Sequence, residues 1–389
     1  MDLLPGPGQP PPGPDLLGPC APEIAPLFTR PVLALLQATR RYTARTCLLL
    51  LMDLGRGPLL HRGATLRGLL AGLPDPEQAE PPLAWMLAFL AHEGLLQQEG
   101  DTFRLTREPD LDLAGVRAAA EVEAPGQQAT FDLLDALRAH VRPFFTEGRP
   151  GETLLFDLAL FPLWQAYFRN DNLVYRPCNA LALLALRAHL PEGARVLEVG
   201  AGAGSFARLV AEQGGREGWL ERVAEYRFTD LAPAFLRRAQ RELPGALTGL
   251  PLAFQPLDLN RPLGDQGIAP ASLDAIVGIN VVHVARDLPA ALRDLRSRLR
   301  PGGRLVLGEC LKPTLDTPLD AECFFTFLKA FTDVDLDPVL RPRHGFLTPE
   351  AWEAALAHAG FQDLWQVPPP RPLMDRYPGF TVGAMSARA

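Results

Sequence analysis

Lysine is almost missing from this 389-residue chain, occurring only at Lys312 and Lys329, so nearly all of its 38 cationic side chains are arginine. With abundant Ala, Leu, Gly and Pro, that scarcity reads as the coding bias of a GC-rich genome. Long apolar runs are missing too: no uninterrupted stretch of about 18 apolar residues occurs, and the N-terminus has no basic start ahead of an apolar core. No membrane association is expected, and the location expected is cytoplasmic. Cysteine is sparse, and Cys20, Cys47, Cys178, Cys310 and Cys323 are odd in number, widely spaced and free of any C-x-x-C. That pattern excludes a disulfide framework and a zinc cage, so no metal site is expected. An excess of positive charge is also lacking, because 38 Lys+Arg face 45 Asp+Glu for a net charge of -7. A general nucleic-acid binder needs clustered cations to neutralise phosphates, so no nucleic-acid partner is expected. What the chain does have is 47% hydrophobic against 21% charged residues. It can bury a core, and its length suggests two or three domains.

Residues 1–22 hold eight prolines and four glycines, a composition that cannot offset its ordering entropy, and read as a disordered tail. Residues 23–110 read as a small helical domain. In PLAWMLAFLAHEGLLQQEGDTFRLT, Leu83, Met86, Leu87, Leu90, Leu95 and Leu96 follow a helical spacing that ends at Gly94. Glu99-Gly100-Asp101 then turns between two short apolar runs. A helix followed by a small hairpin is the pattern of a winged helix. From Glu23 to Asp110 there are nine arginines against ten carboxylates, and the helix expected over residues 81–96 has no lysine or arginine. Such a helix does not hold a phosphate backbone, so the domain reads as a dimerisation element, giving a homodimer, or as a cover for a substrate pocket. Residues 111–190 read as a helical connector. Most of its aromatics, Phe144, Phe145, Phe156, Phe161, Trp164, Tyr167, Phe168 and Tyr175, read as helix packing.

From Arg195 strands and amphipathic helices alternate, which predicts a doubly wound α/β sheet over residues 191–389 with its ligand beyond the carboxyl ends of the strands. Gly200, Gly202 and Gly204 form G-x-G-x-G, where missing side chains let the backbone approach a nucleoside closely. A dinucleotide loop places Gly or Ala at the sixth position, and here it is Ser205. Glu198 would repel a pyrophosphate and welcome a cationic aminoacyl tail. Asp230, read as the end of the second strand with Leu231 beside it, can accept both ribose hydroxyls. Asp258, read as the end of the third with Leu259, can accept from an adenine amine. Carboxylates at three successive strand ends around a glycine loop fit S-adenosylmethionine.

This constellation resembles the class I methyltransferases, whose first motif is matched by VLEVGAGAG at residues 196–204. The resemblance implies a Rossmann-like seven-stranded sheet. The strand DAIVGIN is expected to end at Asn280, which faces the cofactor, with His283 in the following loop. RLVLGE is expected to end at Glu309 on the neighbouring strand. A carboxylate orients an imidazole and stabilises its protonated form, so His283 and Glu309 read as a catalytic dyad acting as general base. The stretch NVVHVARDLPAALRDLRSRLRPGGRLVLGE is similar to the C-methyltransferase domains of polyketide synthases, where such a His and Glu deprotonate an activated carbon. TLLFDLALFPLWQAYFRNDNLVYRPCNALALLAL resembles their helical lead-in. FTDVDLDPVLRPRHGFLTPEAWEAALAHAGF resembles their insert and following helix, with Thr348 as N-cap, Pro349 at the first position and Gly360 past the end.

The acceptor is expected to be a small molecule or a carrier-bound, polyketide-like chain. The insertion over residues 312–345 is rich in aromatics and reads as a wall of the acceptor site, with Tyr175, Phe324 and Phe331 as substrate residues. The winged-helix-like front is more typical of small-molecule O-methyltransferases, which use a similarly placed histidine on a hydroxyl, so O-methylation is the alternative. A peptide methyltransferase and a non-catalytic regulatory protein on the same scaffold are weaker readings.

Overall fold

The computed structural model describes residues 12–106 and 109–389, which form two compact units. The expected tail over residues 1–22 lies outside the described residues up to residue 11. Beyond them the chain differs from that expectation, with helical turns at Pro14–Leu17 and Ala21–Ile24. The apolar residues scattered among the prolines account for the difference. Leu17 and Ile24 are buried, and the Phe28 ring packs on Tyr377 and Phe380 at 5.4 and 4.3 Å between centroids.

The first unit contains Thr29–Tyr167 and Thr314–Asp333. Its longest element is the helix Arg30–Asp53, with Pro31 in the first turn where a missing N–H costs nothing. The Asp75 carboxylate accepts from Gln78 N at 3.0 Å and starts a helix over Pro76–His92. Sequence periodicity places that helix at residues 81–96. It begins earlier because Asp75-Pro76 is a cap followed by a proline at the first position, and it stops at His92 because Gly94 turns the chain with φ of 72°. The strands β2 (Leu96–Glu99) and β3 (Thr102–Leu105) follow as an antiparallel hairpin, and β1 (Ala64–Thr65) pairs with the other side of β3.

Most of the insertion belongs to this unit. The Phe327 ring meets Phe144 edge-on at 5.1 Å, and the Glu322 carboxylate accepts from Trp85 Nε1 at 3.1 Å and from Leu319 N at 2.9 Å. A buried carboxylate is tolerated where donors satisfy it.

The second unit contains Phe168–Pro313, Val334–Ala389 and the described part of Pro10–Phe28. Its strands are β4 (Ala194–Val199), β5 (Val223–Asp230), β6 (Leu252–Pro256), β7 (Leu273–Ile279), β8 (Leu299–Cys310), β9 (Gln362–Val367) and β10 (Val382–Arg388). They form one seven-stranded sheet in the order β6-β5-β4-β7-β8-β10-β9, parallel except for β10, which runs antiparallel to both neighbours. The order reverses between β4 and β7, which opens a crevice at the carboxyl ends of those two strands. Leu197, Val199, Ile276 and Leu307 form a core with Leu292 and Leu295 of the helix Leu288–Arg298 and Trp352 of the helix Pro349–His358. Thr348 caps the latter, its hydroxyl accepting from Ala351 N, and Gly360 follows it with φ of 89°, as the sequence signals. Among the described residues no helix is long and apolar enough to cross a membrane.

Candidate functional site

The predicted site residues of the second unit gather around the switch point. After β4 the chain turns through Gly200, Gly202 and Gly204, with φ of 61°, 52° and 75°. A Cβ at Gly200 would fall 2.3 Å from Val281 Cγ2 and would take a backbone conformation that side chains rarely adopt. Only glycine lets this turn lie against the loop that follows β7. Gly204 precedes the helix Ser205–Glu217, whose N-terminal N–H groups favour partial negative charge.

The Asp230 carboxylate, at the end of β5, fastens that loop. Its Oδ2 accepts from Gly202 N and its Oδ1 from Ala232 N, both at 2.8 Å. Burial pushes this carboxyl up, and the two backbone donors oppose the shift. A carboxylate has about four lone-pair directions, so each oxygen can still accept from a ligand hydroxyl. Leu231 beside it is 63% exposed.

Glu198 is buried on β4. Its Oε2 accepts from the Tyr226 hydroxyl at 2.7 Å, while Thr229 Oγ1 donates to the Glu198 carbonyl at 2.6 Å. Burial raises the carboxyl to about 8, the Tyr226 hydrogen bond acts to lower it, and the Asp230 charge raises it. A carboxyl with so high a value is held largely as the acid near neutrality, and a nearby cation would draw out its proton.

Two strand-end expectations need correction. β6 stops at Pro256, so Asp258 and Leu259 lie in the turn beyond it. There Asp258 Oδ1 accepts from Asn260 N at 2.8 Å and Gln266 Oε1 accepts from Asp258 N at 2.8 Å, which bends the chain out of the ladder. The turn stays beside Asp230, whose carbonyl accepts from Leu257 N at 3.2 Å. Likewise β7 stops at Ile279, and Asn280 takes a left-handed conformation with φ of 48°. Its Oδ1 accepts from Cys310 N at 2.9 Å and its Nδ2 donates to Cys178 Sγ at 3.4 Å, so the amide braces β8 and the helix Arg176–Arg187.

His283 follows in the short helical turn Val282–Val284, and its Nδ1 lies 2.8 Å from Glu309 Oε2. Both residues are buried, and β7 and β8 are neighbours as the sequence implies. Glu309 lies one residue inside the end of β8, opposite Gly383 of β10. Its second oxygen, Oε1, is buried without a hydrogen-bond partner. Phe346 packs on the imidazole at 4.6 Å between centroids.

Tyr175 is in the second unit, with its ring edge-on to Phe168 at 5.1 Å. Phe324 and Phe331 belong to the first, where Phe324 meets Trp164 and Tyr167 at 5.6 Å each and Phe331 meets Phe325 at 5.8 Å. Sequence reading misses the asparagines at the glycine-loop helix. Asn170 Nδ2 donates to Ser205 O at 2.7 Å, and Asn179 Nδ2 donates to Asn170 Oδ1 at 2.8 Å and Ser205 Oγ at 3.2 Å. Asn179 Oδ1 is left buried without a partner, a state that asks for a donor from outside the chain. No motif marks these asparagines. Tyr226 is traceable, since it sits two residues before the partner of Glu198 in the β4–β5 register.

An orphaned buried acceptor, an exposed leucine beside a carboxylate with spare lone pairs, and a buried acid suited to a cation together fit a nucleoside bearing a charged tail. Among the described residues no group of three or more His, Cys, Asp or Glu is placed to hold a metal.

Comparison with known proteins agrees with this chemistry. Residues 197–305 match a family described as a methyltransferase domain. Polyketide synthase ThaG of Burkholderia thailandensis is 32% identical over 260 residues, covering 64% of this chain but 4% of ThaG, so this chain spans only a small part of that relative's length. Among solved structures, CurJ carbon methyltransferase superposes with a TM-score of 0.74 at 21% identity, covering 95% of this chain and 97% of that one. Trans-methyltransferase CalH in complex with SAH gives a TM-score of 0.61 at 20% identity, covering 91% and 90%.

Proposed function

From a chain that carries a methyltransferase domain at residues 197–305 and shares its fold with a carbon methyltransferase across nearly its whole length, we propose an S-adenosylmethionine-dependent methyltransferase acting on an activated carbon of a carrier-tethered, polyketide-like acceptor. The buried pair His283–Glu309, at 2.8 Å, carries the reading. When bound, S-adenosylmethionine supplies an electrophilic methyl on a sulfonium sulfur.

Every other part of the chemistry falls to the protein. Glu198 would hold the cationic tail, Asp230 the ribose hydroxyls, and the turn at Asp258 and Leu259 the adenine edge. Gly200, Gly202 and Gly204 allow close backbone approach, and Asn280 braces β8. Glu309 fixes the His283 ring through Nδ1, so Nε2 is the nitrogen that takes the proton from the acceptor carbon. The electron pair left on that carbon would attack the methyl that a bound cofactor would supply, with a neutral thioether as the leaving group. Positioning carbon and methyl on one axis provides much of the acceleration. General-base assistance of this kind is worth about 10²–10⁴-fold.

The helix Pro76–His92 with its hairpin supports a winged-helix-like first unit, and its lack of lysine and arginine argues against a DNA contact, leaving a dimer contact or a cover for the substrate pocket. Incubation with methyl-labelled cofactor and acetoacetyl thioesters, on a carrier protein or on N-acetylcysteamine, tests the reaction. Label on the carbon between the two carbonyls is expected. Label on oxygen would replace this reading with O-methylation.

A further inference from the structure

A catalytic histidine in a loop needs its backbone held as firmly as its ring. Glu309 sees only Nδ1, while the main chain over residues 283–286 is gripped from another direction. Arg341 is 1% exposed. Its Nη1 donates to Ala285 O at 2.7 Å and to Arg286 O at 3.0 Å, and its Nη2 donates to His283 O. One planar guanidinium thus satisfies three carbonyls, which a single ammonium cannot match in geometry.

The arginine is itself fixed. Its own N–H and C=O exchange hydrogen bonds with Asp337 at 3.0 and 2.9 Å, and Asp337 Oδ1 accepts from Val339 N and Leu340 N. Neighbouring ties reinforce the grip, since Asp335 N donates to Arg286 O and Arg286 N donates to Asn260 Oδ1. No carboxylate pairs directly with the guanidinium in these bonds. Asp335 and Asp287 act on it only through space, and burial draws its value down to about 10. The bonds of this buried cation go to main-chain carbonyls of the base-bearing turn while its Nε is left without a partner, an arrangement that is costly unless the turn's geometry matters.

We propose that Arg341 is the positioning residue of the base: by clamping the carbonyls of His283, Ala285 and Arg286 it sets where the imidazole stands relative to Glu309 and the acceptor carbon. The inference rests on the assignment of His283 as base. Asn260, in the turn that carries Asp258, links the same backbone to the adenine side of the site.

The test uses the full chain with Arg341→Lys, which keeps a cation and a donor, and Arg341→Met, which keeps neither. Backbone amide exchange read by mass spectrometry is expected to speed up over residues 283–286 in Arg341→Lys, with β7, β8 and calorimetric S-adenosylmethionine affinity unchanged. Exchange of the α-hydrogen of acetoacetyl-N-acetylcysteamine in D2O, measured above the buffer rate, is expected to fall about 10- to 100-fold, the scale of a small misplacement. It should appear in kcat, with KM nearly constant. In a His283→Gln background the same substitution should cost nothing more, because a residue acting through His283 has nothing left to position. An equal loss in both backgrounds, or unchanged amide exchange over residues 283–286, would overturn the proposal. If His283→Gln alone leaves exchange of the acceptor intact, the base assignment falls, and the amide-exchange arm still decides whether Arg341 clamps the turn. Should Arg341→Met fail to fold, Arg341→Lys carries both readouts.

Discussion

Glu198 and Glu309 are the same side chain in the same sheet, each buried near the carboxyl end of a parallel strand and hydrogen-bonded to one ring. Their partners make them different devices. Tyr226 offers Glu198 a hydroxyl that stays neutral, so burial prevails and the carboxyl is raised to about 8. His283 offers Glu309 a ring nitrogen, at 2.8 Å. The glycine-loop half of the sheet therefore holds a carboxyl kept largely as the acid near neutrality, and the β7–β8 half holds the proposed base. Burial alone does not assign a carboxylate its role; the group bonded to it does.

That contrast breaks most sharply at His283. His283→Gln is expected to lower turnover by about 10²–10⁴-fold with cofactor affinity retained, checked by kinetics and calorimetry side by side. Glu309→Gln should cost less than His283→Gln, since an amide oxygen can still accept from Nδ1 while the negative charge is lost.

Glu198→Gln sharpens the other half. In the wild type the folded value, about 8, lies above the ordinary glutamate value of about 4.3, so the favourable contribution of the bound proton is complete below about pH 4 and is lost as pH rises through about 8. The ligand-free unfolding midpoint should drop over that window, and Glu198→Gln should flatten the drop. Cofactor binding near pH 7 should release up to about one proton in the wild type and none in the variant, read by calorimetry in buffers of different ionisation heat.

The smallest effect is expected outside the sheet. Trp85→Phe removes one hydrogen bond to Glu322 and should cost about 1–3 kcal/mol of stability, measured by denaturant unfolding, with cofactor affinity unchanged.

Both halves were legible in part. The glycine loop, Asp230, His283 and Glu309 were legible because alternating strands and helices fix which strand ends share an edge. The positions of Asp258 and Asn280 were less so, because Asx turns and a left-handed residue end a ladder without changing its hydrophobic pattern. Asn170, Asn179 and Arg341 left no trace, since their partners are main-chain atoms and side chains distant in sequence. In the first unit, apolar spacing found the helix and hairpin but set the helix late, because the Asp75-Pro76 cap lies ahead of the apolar pattern. The aromatics of the insertion carried chemistry-like composition, and two of them, Phe324 and Phe327, meet Trp164 and Phe144 within the unit.

The central claim is that the His283–Glu309 pair removes a proton from carbon. Incubating the protein in D2O with an acetoacetyl-carrier thioester, without cofactor, isolates that step. Deuterium should enter the carbon between the carbonyls faster than in buffer, and His283→Gln should return the rate to the buffer value. Methyl transfer to oxygen, with deuterium uptake no faster than in buffer, would contradict it.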